Sequence, residues 1–321
     1  MKIKIAALLL LLTATVASAQ DNQLIWINSH AVKLSPDSVS GARDLKFLSA
    51  EVKGKTMVGL GEASHGTHEF YLQKGRIIRF LVSKENFRGL AIEFPDSLIQ
   101  PINRYVQSGE GSLRELMRPL ALYATTEIFD LFQWIREFNA RQPAGKRVTV
   151  MGADRPEYWS DPFTRDKYMA ENILRFHRSA DRKIIVWAHN VHIAKDTTMA
   201  KVPALGYHLR QQLGRHLYVM GFDTFRGSVH VLNNGVFEMH DFEGKENTYS
   251  AIFARAKADA FFLSFPEKGH PFSDTEGLIT NINSNWRQDP VPLPVRLGVD
   301  FDGIIFIRNT TASRSMAVAG F

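Results

Sequence analysis

The sequence predicts an α/β fold: a mostly parallel central sheet flanked by helices on both faces, with a small helical cap. Three observations carry this expectation. Short apolar runs alternate with amphipathic stretches, the order that builds a parallel sheet covered on both sides. The apolar runs lack the in/out alternation of a half-exposed strand, as burial on both faces requires. Polar residues of catalytic type follow the ends of several runs, where sites form in such sheets.

Along the chain, Thr56-Met57-Val58-Gly59-Leu60 reads as the first buried strand. Phe70, Ile77, Ile78 and Leu81 then recur at helical spacing, so Thr67 to Lys84 reads as a helix. Leu90-Ala91-Ile92-Glu93-Phe94 is the second strand, stopped by Pro95. From Asp96 to Pro143 no strand is visible. Ile128, Leu131, Phe132, Ile135 and Phe138 mark an amphipathic helix there, and residues 96–143 are expected to form the cap. Val148 to Gly152 reads as a third strand, Phe163 to Phe176 as a helix and Ile184 to Ala188 as a fourth strand. Leu217 to Phe222, Ala260 to Ser264 and Gly303 to Ile307 read as further strands. The pattern from Phe225 to His270 is less regular, and Asn233-Asn234-Gly235 signals a hairpin turn.

Residues 1–19 have the order of a cleavable signal peptide: Lys2 and Lys4, an apolar run, then Ala17-Ser18-Ala19. The run is too short to span a bilayer. An exported protein, periplasmic or secreted and without stable membrane association after cleavage, is expected, with residues 20–321 as one domain. The chain has no cysteine, which excludes disulfides, cysteine nucleophiles and thiolate zinc sites. The formal charge of +6 is spread without a basic cluster or interleaved aromatics, so no nucleic acid partner is expected.

Four strand ends carry the candidate chemistry. Glu62, His65 and His68 follow the first, Glu93 ends the second, Asp154 follows the third, and His189-Asn190-Val191-His192 follows the fourth. A charged Glu93 among Ala91, Ile92 and Phe94 is costly to bury unless it is paired. Imidazoles and carboxylates converging at one sheet edge are what general acid/base chemistry needs. Each residue also has a plainer role: Glu62 as a helix cap, His65 as a turn residue, His189 and His192 as hydrogen-bonded core groups, Trp187 as packing. There is no Gly-x-Ser-x-Gly elbow around Ser64, no HExxH helix at His68-Glu69, no P-loop and no dinucleotide glycine motif.

The order and spacing of these pieces resemble the erythromycin esterase family. The resemblance rests on GEASHG with Glu69-Phe70 behind it, AIEFP with Glu93, MGAD with Asp154, RDKYMAENI from Arg165 to Ile173, and VWAHNVHIAK with His189 and His192. It covers the chain from about Leu45 to Ile307. It implies a cofactor-free, metal-independent hydrolase of a small-molecule ester or lactone, the family being known for opening the ring of macrolide antibiotics and so for resistance to them. On that pattern His65 is the base that activates water, Glu62 and Glu93 orient or polarise the catalytic group, and His189 and His192 line the cleft. Lys74, Asp154 and Asn190 would touch substrate. An arginine is common in the family where this chain has Lys74, and lysine lacks its planar fork. The chain is short for a macrolide esterase, which implies a reduced cap. Two other readings use the same residues: a metal-dependent hydrolase or peptidase of the Tiki/TraB type, with Glu62, His65, Glu93, His189 and His192 as N/O ligands, and a haem or ligand carrier.

Overall fold

The computed structural model describes residues 20–35, 42–179, 182–287 and 291–316. The expected signal peptide therefore lies outside the described residues. Helix α1 (20–30) and the short strand β1 (Val32–Lys33) come first. Then follow α2 (Leu48–Glu51), β2 (Met57–Leu60), α3 (His68–Lys84), β3 (Phe87–Pro95), α4 (Asp96–Ser108), α5 (Leu113–Met117) and α6 (Thr126–Ala140). The second half comprises β4 (Thr149–Asp154), α7 (Pro162–Arg178), β5 (Lys183–Trp187), α8 (Asn190–Ile193), α9 (Leu205–Leu213), β6 (Leu217–Asn233) and β7 (Val236–Glu243). It closes with α10 (Tyr249–Ala254), β8 (Ala260–Ser264), β9 (Gly277–Ile279), β10 (Leu293–Val295) and β11 (Gly303–Thr310).

Among the described residues the central sheet has nine strands in the order β1-β8-β11-β6-β2-β5-β3-β4, with β7 paired to β6. The pairs from β11 to β4 along this order are parallel. Strands β1 and β8 are antiparallel additions at one edge, and β7 is an antiparallel partner of β6. This is the expected mostly parallel α/β sheet.

Each central strand is buried on both sides, and its residues alternate between two cores. Val58, Leu60, Ile185 and Trp187 share one core with Phe70, Ile77, Ile78 and Leu81 of α3. Met57, Ile184, Val186 and Val219 share the other with Met169 and Ile173 of α7 and Leu205 and Leu209 of α9. The chain leaves β2 toward α3 and β3 but leaves β5 toward α9 and β6, which lie in the opposite direction along the sheet. Adjacent strands whose connections diverge open a crevice at their carboxyl ends, the usual place for a ligand.

Two regions gain detail that the sequence left open. Residues 96–143 are helical, as expected of the cap. Ile99, Ile102, Ile128, Leu131, Phe132 and Ile135 of α4 and α6 belong to the same core as β2 and β3, so this region roofs one sheet face. Only the start of α4 and the 3-10 turn Arg118–Tyr123 reach the crevice. The irregular stretch after Phe225 is the continuation of β6, a 17-residue strand that runs on beyond its parallel neighbours and turns into β7. The turn is the expected one: Asn234 and Gly235 both have positive φ (49° and 84°), the two-residue geometry that matches strand twist.

Candidate active site

The turn after β2 is shaped by two glycines. A Cβ on Gly61 would lie 2.1 Å from Asn190 Oδ1, and one on Gly66 would lie 1.8 Å from the His230 carbonyl oxygen. Only glycine lets the backbone pass this close to its neighbours. Between them, Glu62 points into the protein and His65 faces the crevice.

Glu62 is fully buried and accepts from four donors. Lys74 Nζ (2.6 Å) and Trp187 Nε1 (2.9 Å) donate to Oε2. His65 Nδ1 (2.7 Å) and the Tyr123 hydroxyl (3.1 Å) bond to Oε1. Burial alone would raise the Glu62 carboxyl, but Lys74 and then His65 hold it below the usual carboxylate range. Burial pulls the Lys74 ammonium down to about 8, against the opposing pull of Glu62 and then Glu93. The Tyr123 hydroxyl is pushed well up, first by burial and then by the Glu62 charge, so it stays protonated. The His65 bond to Glu62 uses Nδ1 as donor, which leaves the Nε2 lone pair for the cleft.

A second cluster stands on β3, β4, α7 and α8. Glu93 Oε2 accepts from the His189 backbone N–H (2.9 Å), while Oε1 lies 3.2 Å from His192 Nε2 and 3.3 Å from Arg165 Nη2. Burial opposes the Glu93 charge, but His192, His65 and Arg165 outweigh it and bring the carboxyl down to about 2. The other His192 nitrogen, Nδ1, meets Asp166 at 2.9 Å. With a carboxylate on each side the imidazole is held as the cation: burial would lower it, yet Glu93 and Asp166 raise it to about 8. Arg165 also donates to Asp154 Oδ2 (2.8 Å), which takes the Trp159 indole N–H as well (2.8 Å).

His189 stands between the clusters. Its ring centroid lies 5.0 Å from that of His65. The Val191 N–H donates to its Nδ1 (3.3 Å), so the ring proton sits on Nε2. Burial, then the neighbouring His65, push it down to about 3, and it stays neutral. Its Nε2 is buried and has no partner among the described residues. An unpaired buried donor is costly, and one lining a cleft is available to a ligand oxygen.

The cleft above these groups holds about 500 Å³ and is lined by His65, Glu93, Asp154, Arg165, His189 and His192 on its polar side. Pro95, Leu98, Pro119, Ala121, Leu122 and Leu232 form apolar walls. Ala121 takes φ 50°, ψ −122°, a backbone region few residues with a side chain adopt, as the chain kinks to bring Tyr123 onto Glu62.

The structure thus brings Glu62, His65, Glu93, Asp154, His189 and His192 to one sheet edge. It does not bring Lys74 or Asn190 to the substrate side. Lys74 is fully buried beneath Glu62, its Nζ 4.5 Å from the Trp187 ring centroid. Asn190 spends its amide on the backbone of Phe222, accepting from N and donating to O, and pins the start of α8 to β6. His68 is turned from the cleft to Glu127, 2.5 Å away. Tyr123, Trp187, Arg165 and Asp166 were not singled out by the sequence as site residues. Arg165-Asp166 had a signal: two opposite charges at the start of a helix that follows a strand. Tyr123 had none.

The fold and these groups define a histidine–carboxylate protein of the open α/β class, with its site at the switch between diverging connections. The chain belongs to the erythromycin esterase family: the family's model, Erythromycin esterase, matches residues 82–162 and 155–310. Those stretches carry Glu93, Asp154, Arg165, His189 and His192, whereas the Gly61–His68 turn precedes them. The chain is 28% identical over 218 residues to erythromycin esterase type II of Escherichia coli, covering 60% of this chain and 50% of that protein. It is 31% identical over 131 residues to the putative hydrolase YbfO of Bacillus subtilis, covering 40% of this chain and 28% of that protein. The matches therefore span half or less of these relatives' length. A Bacillus cereus protein of solved structure superposes with a TM-score of 0.82 at 22% identity, covering 92% of this chain and 98% of that one. A mutant of the erythromycin esterase EreC in its open conformation superposes at 0.68 with 15% identity, over 91% and 99%. These likenesses establish the fold.

Proposed function

We propose that the protein is a hydrolase of a small-molecule carboxylic ester or lactone, with His65 as the base that activates water. The observation that carries this is the pairing of His65 with His189 across the cleft. One imidazole, fixed through Nδ1 by a buried carboxylate, presents a lone pair. The next, 5.0 Å away, presents an unpaired Nε2–H. A base and a neutral donor on either side of one reacting carbonyl are the minimum for acyl transfer to water.

In the proposed step His65 Nε2 takes a proton from water as the water oxygen attacks the carbonyl carbon. The carbonyl oxygen gathers negative charge and accepts from His189 Nε2–H. Glu62 stabilises the His65 cation as the aspartate does in a serine-protease triad. The protonated His65 then gives its proton to the leaving alkoxide, and an acid and an alcohol depart. Glu93 holds the His189 backbone and, with Asp166, the His192 cation, whose charge lies beside the developing oxyanion. The apolar walls take the hydrocarbon part of the substrate, and about 500 Å³ falls within the usual about 300–1,000 Å³ of small-molecule sites.

Proton chemistry accounts for these groups better than metal ligation does. The Glu62 oxygens are committed to four donors, one of them an ammonium, and both His192 nitrogens to carboxylates. Apart from the single lone pair of His65 Nε2, the lone pairs that a cation would need at these groups are occupied. The leader-like order of residues 1–19 supports action outside the cytoplasm, in the periplasm or beyond.

A panel of macrolides, lactones and simple esters, read by mass spectrometry for addition of water with and without a chelator, tests the reading. Hydrolysis is expected to survive the chelator and to vanish in a folded His65→Ala variant, the loss being about 10²–10⁴-fold. A fully active His65→Ala protein would overturn it.

A further inference from the structure

Beyond β11, residues 311–316 do not leave the molecule but lie across it as a strap. Thr67 and Ala312 form an antiparallel bridge, and so do Thr125 and Ser315. On one side the His68 N–H donates to the Thr311 carbonyl (2.9 Å) and the Ser313 N–H to the Gly66 carbonyl (2.9 Å). On the other side Thr126 N–H donates to Arg314 O (2.9 Å) and Met316 N–H to Ala124 O (2.8 Å). From beneath, the His230 ring bonds to the Ser313 carbonyl (2.7 Å), while the His230 backbone N–H donates to Gly66 O (3.1 Å). The strap therefore ties the turn that ends beside His65 to the turn that ends beside Tyr123.

One carboxylate sits at the crossing. Glu127, in the first turn of α6, is buried at 8% exposure. Its Oε1 accepts both from His68 Nδ1 (2.5 Å) and from the Arg314 N–H (2.9 Å). His68 opens α3 directly after the His65 turn, and Glu127 follows Tyr123 by four residues. None of His68, Glu127 and Arg314 lines the cleft, so none can act on substrate directly.

We propose that Glu127 is a positioning residue: by clasping His68 and the strap at Arg314 it sets His65 and Tyr123 against Glu62. This rests on the reading of His65 as the base. The cost of losing the clasp falls on turnover, because His65 and its partner shift relative to each other while the apolar walls stay in place. A misplacement of about 1 Å costs about 10²-fold in rate.

The test uses Glu127→Ala and Glu127→Gln in the full chain, with ester turnover, hydrogen exchange and the low-field NMR signal of the His65 Nδ1 proton as readouts. Glu127→Ala is expected to lower kcat by about 10²-fold at unchanged KM. Its His68, Ser313, Thr126 and Met316 amides should exchange faster, while the β2 and β5 amides stay protected. Glu127→Gln keeps an oxygen for both donors and should restore most of kcat, a rescue that simple loss of stability would not show. His68→Ala, at the surface end of the clasp, reproduces the effect if Glu127→Ala does not fold. If the wild-type protein hydrolyses no ester, the proposed activity fails, and the clasp is still read from exchange and from broadening of the His65 proton signal. A folded Glu127→Ala protein with wild-type kcat, exchange and His65 signal overturns the inference.

Discussion

Replacing Glu62 with glutamine separates the roles of its two oxygens. The Trp187 indole N–H can only donate, as does the Lys74 ammonium, so the new amide must turn its oxygen toward them. The amide N–H₂ then faces His65 and Tyr123. The Tyr123 hydroxyl can accept, and so can His65 Nδ1, but only as the tautomer with its proton on Nε2. The ring would present N–H to the cleft where a base is needed. We expect turnover to fall by about 10²–10⁴-fold, the contribution of a general base. Stability falls too, because Lys74 loses its counter-charge. Breaking a buried ion pair costs about 3–5 kcal/mol, and here that is an upper limit. An amine already brought down to about 8 sheds its proton at pH 7 for about 1.4 kcal/mol. The assays are steady-state hydrolysis of whichever ester the panel identifies, urea denaturation, and ¹⁵N NMR of labelled histidine to read the His65 tautomer. Wild-type turnover in a variant whose tautomer has inverted would refute the reasoning, because Nε2 would then not be the base.

Two further outcomes follow from the second cluster. Glu93→Gln leaves Arg165 and His192 facing a neutral amide, so it should destabilise by up to about 3–5 kcal/mol in urea denaturation and lower turnover together. The His192 imidazole is raised from 6.5 to about 8 in the fold, so its stabilisation is complete below about pH 6.5 and disappears as pH rises through 8. At about 1.4 kcal/mol per pH unit this amounts to roughly 2 kcal/mol. Subtracting the Asp166→Asn stability curve from that of the wild type should show the loss between pH 6.5 and 8, and a flat difference there would refute the assignment.

The strands, and with them Glu62, Glu93, Asp154, His189 and His192, were legible because short apolar runs with polar ends mark where a parallel sheet opens. Lys74 was misread although the sequence held the answer. It falls on the stripe of Phe70, Ile77, Ile78 and Leu81, spaced to face inward, and α3 duly carries it beneath the sheet edge. Asn190 was misread because its neighbours are site residues, whereas its own side chain meets β6, a partner no local pattern reveals. Tyr123 lies in a turn whose kink at Ala121 breaks any periodicity, and its meeting with Glu62 spans 61 residues. The segment 96–143 shows the same limit: its helices were readable, but not the face of the sheet that they cover.

The divergence of the chain at β2 and β5 gives the two clusters separate foundations. Glu62, His65 and Lys74 are anchored to the layer containing α3, whereas Glu93, Arg165, Asp166 and His192 are anchored through α7 to the layer on the other side of the sheet. The gap between His65 and His189 is therefore also a gauge of how the two layers sit on their common sheet. A slide of one helical layer by less than an ångström would open or close it without disturbing either cluster internally. On the proposed chemistry, substitutions at the far ends of α3 or α7, remote from any substrate, are expected to tune the reaction as adjusting screws do the jaws of a vice.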